Sequence, residues 1–141
     1  VKKTAIALTA CAALTLAACG GDKTLTKAEF TKQANAICDS VNKKVDAAGE
    51  KVTKEHDPSK DMAGFLKAAV AAIAPLADEG ATKLRALKAP EEMQDDVDAW
   101  LDALESDTAK ARKNPMILTD DSAFEATDKK AEALGLDTCA S

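Results

Sequence analysis

Four cysteines, Cys11, Cys19, Cys38 and Cys139, are the most reactive groups in the chain. A thiol can be acylated, ligate a soft metal or pair as a disulfide, and its neighbours and spacing decide which. No two of the four stand at a CxxC spacing and His56 is the one histidine, so a zinc site or a two-His metal pair lacks its ligands. His56, in Lys54-Glu55-His56-Asp57, reads as an exposed helix-end residue with no chemical partner. A second pattern is acidic. Glu91, Asp95, Asp98, Asp102 and Glu105 recur at intervals of four, three, four and three, which on a helix is one stripe. Such a stripe can receive a cationic partner, or it can simply be a solvated helix face whose first members complement the positive N-terminus. No Gly-rich phosphate loop, nucleophile elbow or HExxH motif occurs, and carboxylate pairs arise by chance on so acidic a surface. The chain reads as non-catalytic and without a cofactor.

The N-terminus gives Cys19 its context. Lys2-Lys3 precede an apolar stretch from Ala5 to Ala18, too short and too rich in small residues for an ordinary transmembrane helix, which reads as an export signal. Its end, Leu16-Ala17-Ala18-Cys19-Gly20, resembles the lipobox of bacterial lipoproteins. That resemblance implies cleavage after residue 18, diacylglycerol on the Cys19 thiol, and a mature chain anchored by two or three acyl chains, two being enough for stable attachment. Residues 19–25 are then the lipidated Cys and a short polar tether. At about 3.3 Å per residue the tether holds the following domain, residues 26–141, within roughly 20 Å of the headgroups. The expected location is the extracytoplasmic side of the cell membrane.

With Cys11 discarded and Cys19 acylated, Cys38 and Cys139 remain. An even remainder in an oxidising compartment is most simply a disulfide, here closing a loop of about 100 residues; a metal site is the weaker alternative.

These residues must be positioned by helices. Alanine is about a fifth of the chain, there is no Tyr, and Gly and Pro are few, a balance that favours helix over strand. Thr26 with Glu29 forms a capping box ahead of a stripe at Phe30, Ala34, Ile37, Cys38, Val41, Val45, Ala48 and Val52, which predicts a first amphipathic helix. It should end before Asp57-Pro58, with Asp57 capping the next helix. The second carries Met62, Phe65, Leu66, Ala69, Ile73, Leu76, Gly80, Leu84 and Leu87 inward, with Pro75 inside the pattern, which predicts a bend near residues 71–75. The third starts at Pro90 or Glu91, faces Met93, Val97, Trp100, Leu101, Leu104 and Ala111 inward and closes at Arg112-Lys113-Asn114. A loop from Asn114 to Asp121 follows, and Ser122 with Glu125 predicts a capped short helix ending in a left-handed Gly135. Short connections favour antiparallel neighbours, so the expected fold is all-α, a four-helix up-down antiparallel bundle after a cleaved signal peptide.

The net charge of −5 becomes −7 once Lys2 and Lys3 leave with the signal, which argues against nucleic acid and against electrostatic adhesion to an anionic bilayer. The layout of lipobox, tether, early Cys38, Leu87-Lys88-Ala89-Pro90 before the Trp100 helix, and Leu134-Gly135-Leu136 ahead of Cys139 resembles small lipoproteins and secreted proteins of actinobacteria. The resemblance implies an extracytoplasmic, disulfide-tied helical domain and carries no activity to transfer.

Two functions follow as expectations. In the first the domain is a non-catalytic interaction module that docks an envelope protein. It does so through Glu91, Asp95, Asp98 and Asp102, or through the apolar Met116-Ile117-Leu118 segment, which otherwise folds back over the end of the bundle. In the second it carries a small molecule or lipid in a pocket opened by the Pro75 kink near Trp100, whose indole is otherwise core packing. An apolar cavity on the order of a few hundred Å³ supports the carrier, and a closed alanine-packed core opposes it.

Overall fold

A computed structural model describes residues 24–140; Cys11, Cys19 and most of the stretches expected to be signal and tether lie outside them. The described chain is a helical bundle of four α-helices: α1 (Lys27–Glu55), α2 (Met62–Ala86), α3 (Gln94–Lys113) and α4 (Glu125–Ala133). Short 3-10 helices stand at Glu91–Met93, Pro115–Thr119 and Asp137–Cys139, and no strand occurs among the described residues.

The helix ends follow their caps. Thr26 Oγ1 accepts the Glu29 backbone N–H at 3.3 Å while the Thr26 N–H donates to the Glu29 carboxylate at 3.0 Å, completing the predicted capping box. Leu25, assigned to the tether by sequence, is docked. It packs on the main core and its N–H donates to the Lys88 carbonyl at 3.0 Å, which pins the start of the fold to the α2–α3 connection.

Two predicted caps do not form. Asp57 turns its carboxylate to the Ser59 N–H and hydroxyl, at 3.0 and 2.6 Å, and so spends its acceptors on an isolated turn over residues 57–60. Asp61 takes the cap instead, accepting from the Gly64 N–H at 2.8 Å, so α2 starts later than predicted. Met62, expected inward, is 47% exposed because the first turn precedes the covered part of the helix, which begins at Phe65 and Leu66. Ser122 likewise donates its hydroxyl to Asp120 at 2.7 Å and Glu125 pairs with Lys129, so the second capping box is absent and α4 starts after an uncapped Phe124. At the other end of α4 the prediction matches. Gly135 has φ +74°, its N–H donates to the Glu132 carbonyl and that of Leu136 to the Ala131 carbonyl, both at 2.9 Å, the two bonds of a Schellman cap.

Burial is divided between two clusters. The larger joins Phe30, Ala34 and Cys38 of α1 and Leu84 of α2 to Met93, Val97, Trp100 and Leu101, with Ala131, Leu134 and Leu136 closing over them. Phe30 and Trp100 are essentially inaccessible and supply most of its volume. The smaller consists of Val70, Ala74 and Ala111 with Ile117 packed against it. Between α1 and α2 the backbones come close, since a Cβ on Gly80 would stand 3.1 Å from a Val41 methyl.

The Cys38–Cys139 disulfide is present, with an S–S distance of 2.07 Å and a Cα–Cα distance of 5.2 Å. Asn42 and Asn35 reinforce it. The Asn42 amide donates to the Thr138 carbonyl at 2.9 Å, and the Asn35 side chain accepts the Thr138 N–H at 3.2 Å. The C-terminal segment is thereby held against α1.

Candidate functional site

α2 faces its partners largely with residues that have little side chain. Ala74, Ala77, Gly80 and Ala81 succeed one another at helical spacing along its inner wall. Residues this small let α1 approach closely at Gly80 and Ala111 of α3 pack on Ala74, but their side chains fill little of the space that remains between the helices. The consequence is a cleft of about 380 Å³, open to solvent on one side and taking wall residues from both core clusters. α1 contributes Val41 and Val45, α3 contributes Trp100 and Leu104, and α4 with the residue before it contributes Phe124, Thr127 and Asp128. Both cysteines of the disulfide stand in the wall.

The walls are apolar apart from a few side chains, most of which are already engaged. Thr108 donates to the Leu104 carbonyl at 2.9 Å, Asn42 to the Thr138 carbonyl, and Thr127 to the Asp107 carboxylate at 2.6 Å. Asp107 is buried and takes its second donor from Lys110 at 2.7 Å. The Asp128 backbone N–H donates to the Phe124 carbonyl at 3.0 Å, while its carboxylate, half-buried in the cleft wall, has no hydrogen-bond or ion-pair partner among the described residues. Partial burial, with the negative charges of Glu132 and Asp107 nearby, raises its carboxyl above the ordinary carboxylate range.

The sequence-predicted sites are distributed unevenly around this cleft. Trp100 lines it, 1% exposed, as part of the core. Pro75 does not line it. Pro75 is exposed within a helix that continues to Ala86 and borders a separate depression with Lys67, Arg112 and Pro115, so it does not open a pocket beside Trp100. The Met116–Leu118 segment is split. Ile117 packs on the smaller cluster, Met116 is 51% exposed, and Leu118 is partly exposed while contributing to the cleft wall.

The acidic stripe is partly satisfied from within. Arg85 of α2 reaches Asp102 at 2.6 Å, Glu105 at 2.9 Å and Asp98 at 3.7 Å, and hydrogen bonding to Glu105 first and Asp102 second raises the guanidinium pKa. Glu91 and Asp95 are exposed and take no part in that network. Cys19 lies outside the described residues. His56 is exposed and follows the last turn of α1.

Sequence reasoning passed over Asp128 and Asp107. The available signal was a polar residue at an inward position. Phe124, Thr127, Asp128 and Ala131 share one face of α4 at spacings of three, one and three, and a carboxylate there breaks the apolar pattern. Among the described residues no group of three or more His, Cys, Asp or Glu is arranged to hold a metal ion, and no helix is long and apolar enough to cross a membrane. Comparison with known proteins returns no match to a family model, a curated protein or a solved structure.

Proposed function

We propose that this protein is a lipid-anchored, extracytoplasmic binding module that holds a small apolar or amphiphilic molecule in the cleft between its helices. The observation that carries the reading is the cleft of about 380 Å³, walled by aliphatic side chains and Trp100. That volume lies at the small end of ligand pockets. A space of this kind is unfavourable to leave filled with water, and each methylene placed in it gains roughly 0.8 kcal/mol before the cost of association. The anchor rests on the lipobox at Leu16-Ala17-Ala18-Cys19. The short connections between consecutive helices support an up-down antiparallel arrangement, in which the cleft opens between neighbouring helices. Catalysis and nucleic-acid binding form no part of this reading.

Trp100 is the sole tryptophan and reports directly on occupancy. Titration with a neutral naphthylamine probe should quench or shift its fluorescence and saturate at one probe per chain. Ala77→Phe, which places a ring in the cleft, should abolish saturable binding while leaving the helical circular dichroism intact. A wild-type protein that binds no such probe overturns the proposal. Mass spectrometry of protein extracted from its own membrane tests the anchor separately, through diacylglyceryl mass on Cys19.

A second reading, docking of an envelope protein, is favoured by the exposure of Met116 and Leu118 just past the C-terminal end of α3; Glu91 and Asp95 are exposed at the opposite end of that helix and form no common patch with them. Cross-linking in cells with Met116→Ser or Leu118→Ser tests it by loss of a single adduct.

A further inference from the structure

The proposed ligand site leaves the chemical class of its ligand open, and one wall residue narrows it. Asp128 stands in the cleft wall on the face of α4 that carries Thr127 and Ala131, one turn after Phe124. Asn42, Thr108 and Thr127, also in the wall, are tied to partners in the chain. Lys129, the next residue in the chain, pairs with Glu125, and Lys110 pairs with Asp107. The half-buried Asp128 carboxylate accepts no side-chain hydrogen bond from the described chain and keeps its oxygens open to solvent, so a ligand donor can replace water there without displacing a protein partner. The nearby Glu132 and Asp107 make an anionic ligand group unfavourable there.

We infer that the cleft binds amphiphiles carrying a protonated amine, with the apolar body among the α1–α3 side chains and the ammonium on the Asp128 carboxylate. This rests on the ligand-binding reading above and specifies its substrate class. Fixed charge of the same sign near Asp128 favours a cation further, and the ammonium's three donors can be shared between the carboxylate and solvent at the open side of the cleft.

The test compares three ligands of one chain length, decylamine, decanol and decanoate, by isothermal titration to the oxidised full-length protein below their micelle concentrations. The expected order of affinity is amine, alcohol, carboxylate. Asp128→Asn should lower decylamine affinity by roughly fivefold to tenfold, the range for a part-exposed charge-assisted hydrogen bond, while decanol affinity stays within twofold. Asp128→Glu should keep most of the amine preference, which separates loss of charge from loss of packing. Equal affinity for all three ligands, or an amine preference that survives Asp128→Asn, overturns the headgroup assignment and leaves the apolar cleft standing. Failure of both decanol and decylamine to bind the wild type overturns the cleft as a ligand site and the assignment with it.

Discussion

Asp107 is a carboxylate held where desolvation is expensive, and two donors make it tolerable. Thr127 Oγ1 reaches one oxygen at 2.6 Å and Lys110 Nζ the other at 2.7 Å. Thr127→Val conserves shape and removes one of these donors, and is expected to cost about 1–3 kcal/mol in urea denaturation, the range for stranding a buried charged acceptor. A neutral result would mean that water entering from the cleft replaces the hydroxyl. Neither partner was legible in the sequence as a site. Asp107 falls on the inward stripe of α3, seven residues after Trp100 and four before Ala111, but its pairing with Thr127 spans two helices, α3 and α4, that no local period relates.

At the scale of elements, the caps show how far local chemistry reaches. Thr26–Glu29 and Gly135 form as predicted because every group involved lies within a few residues. Asp57 and Ser122 fail for an equally local reason. Each engages a nearer partner, Ser59 and Asp120 respectively, before a helix N–H can compete. The C-terminal segment depends on a distant contact instead. Its disulfide closes a separation of 101 residues, and the chain-entropy model assigns a loop of that size roughly 3–5 kcal/mol. Cys139→Ser is therefore expected to lower stability by about that amount in denaturant titrations. Wild-type protein treated with reductant should fall to the same midpoint, because Asn35 and Asn42 still hold the tail in both.

For the molecule as a whole, exposed ion pairs dominate the surface, and their effect appears in acid. Glu79 bridges Lys44 of α1 and Lys83 of α2, and hydrogen bonding to these two lysines lowers its pKa from 4.5 to about 2. A carboxyl depressed on folding contributes stability that is present above its unfolded value and lost as pH falls through its folded one. Thermal midpoints are accordingly expected to decline between about pH 4.5 and 2. Glu79→Gln should flatten part of that decline, and 1 M salt should reduce the difference between the two proteins, since these groups face solvent. Asp128 acts in the opposite sense, because its pKa is raised and protonation relieves its burial and the repulsion from Glu132 and Asp107.

The sequence by itself determined the all-helical class and the approximate span of each long helix. It also determined the inward placement of Phe30, Trp100 and Leu101 and the pairing of Cys38 with Cys139. Helical period and capping residues are properties of neighbours along the chain, and Cys38 and Cys139 are the two cysteines that remain once Cys11 and Cys19 are assigned to the N-terminal segment. Only the tertiary structure decided that the alanines of α2 leave a cleft rather than a closed core. It also turned Arg85 against the acidic stripe, placed Pro75 away from Trp100, and set Asp128 in an apolar wall. Each of these depends on the distance between surfaces of different helices. Side-chain volume and charge decide that distance jointly, and no pattern within a single helix contains it.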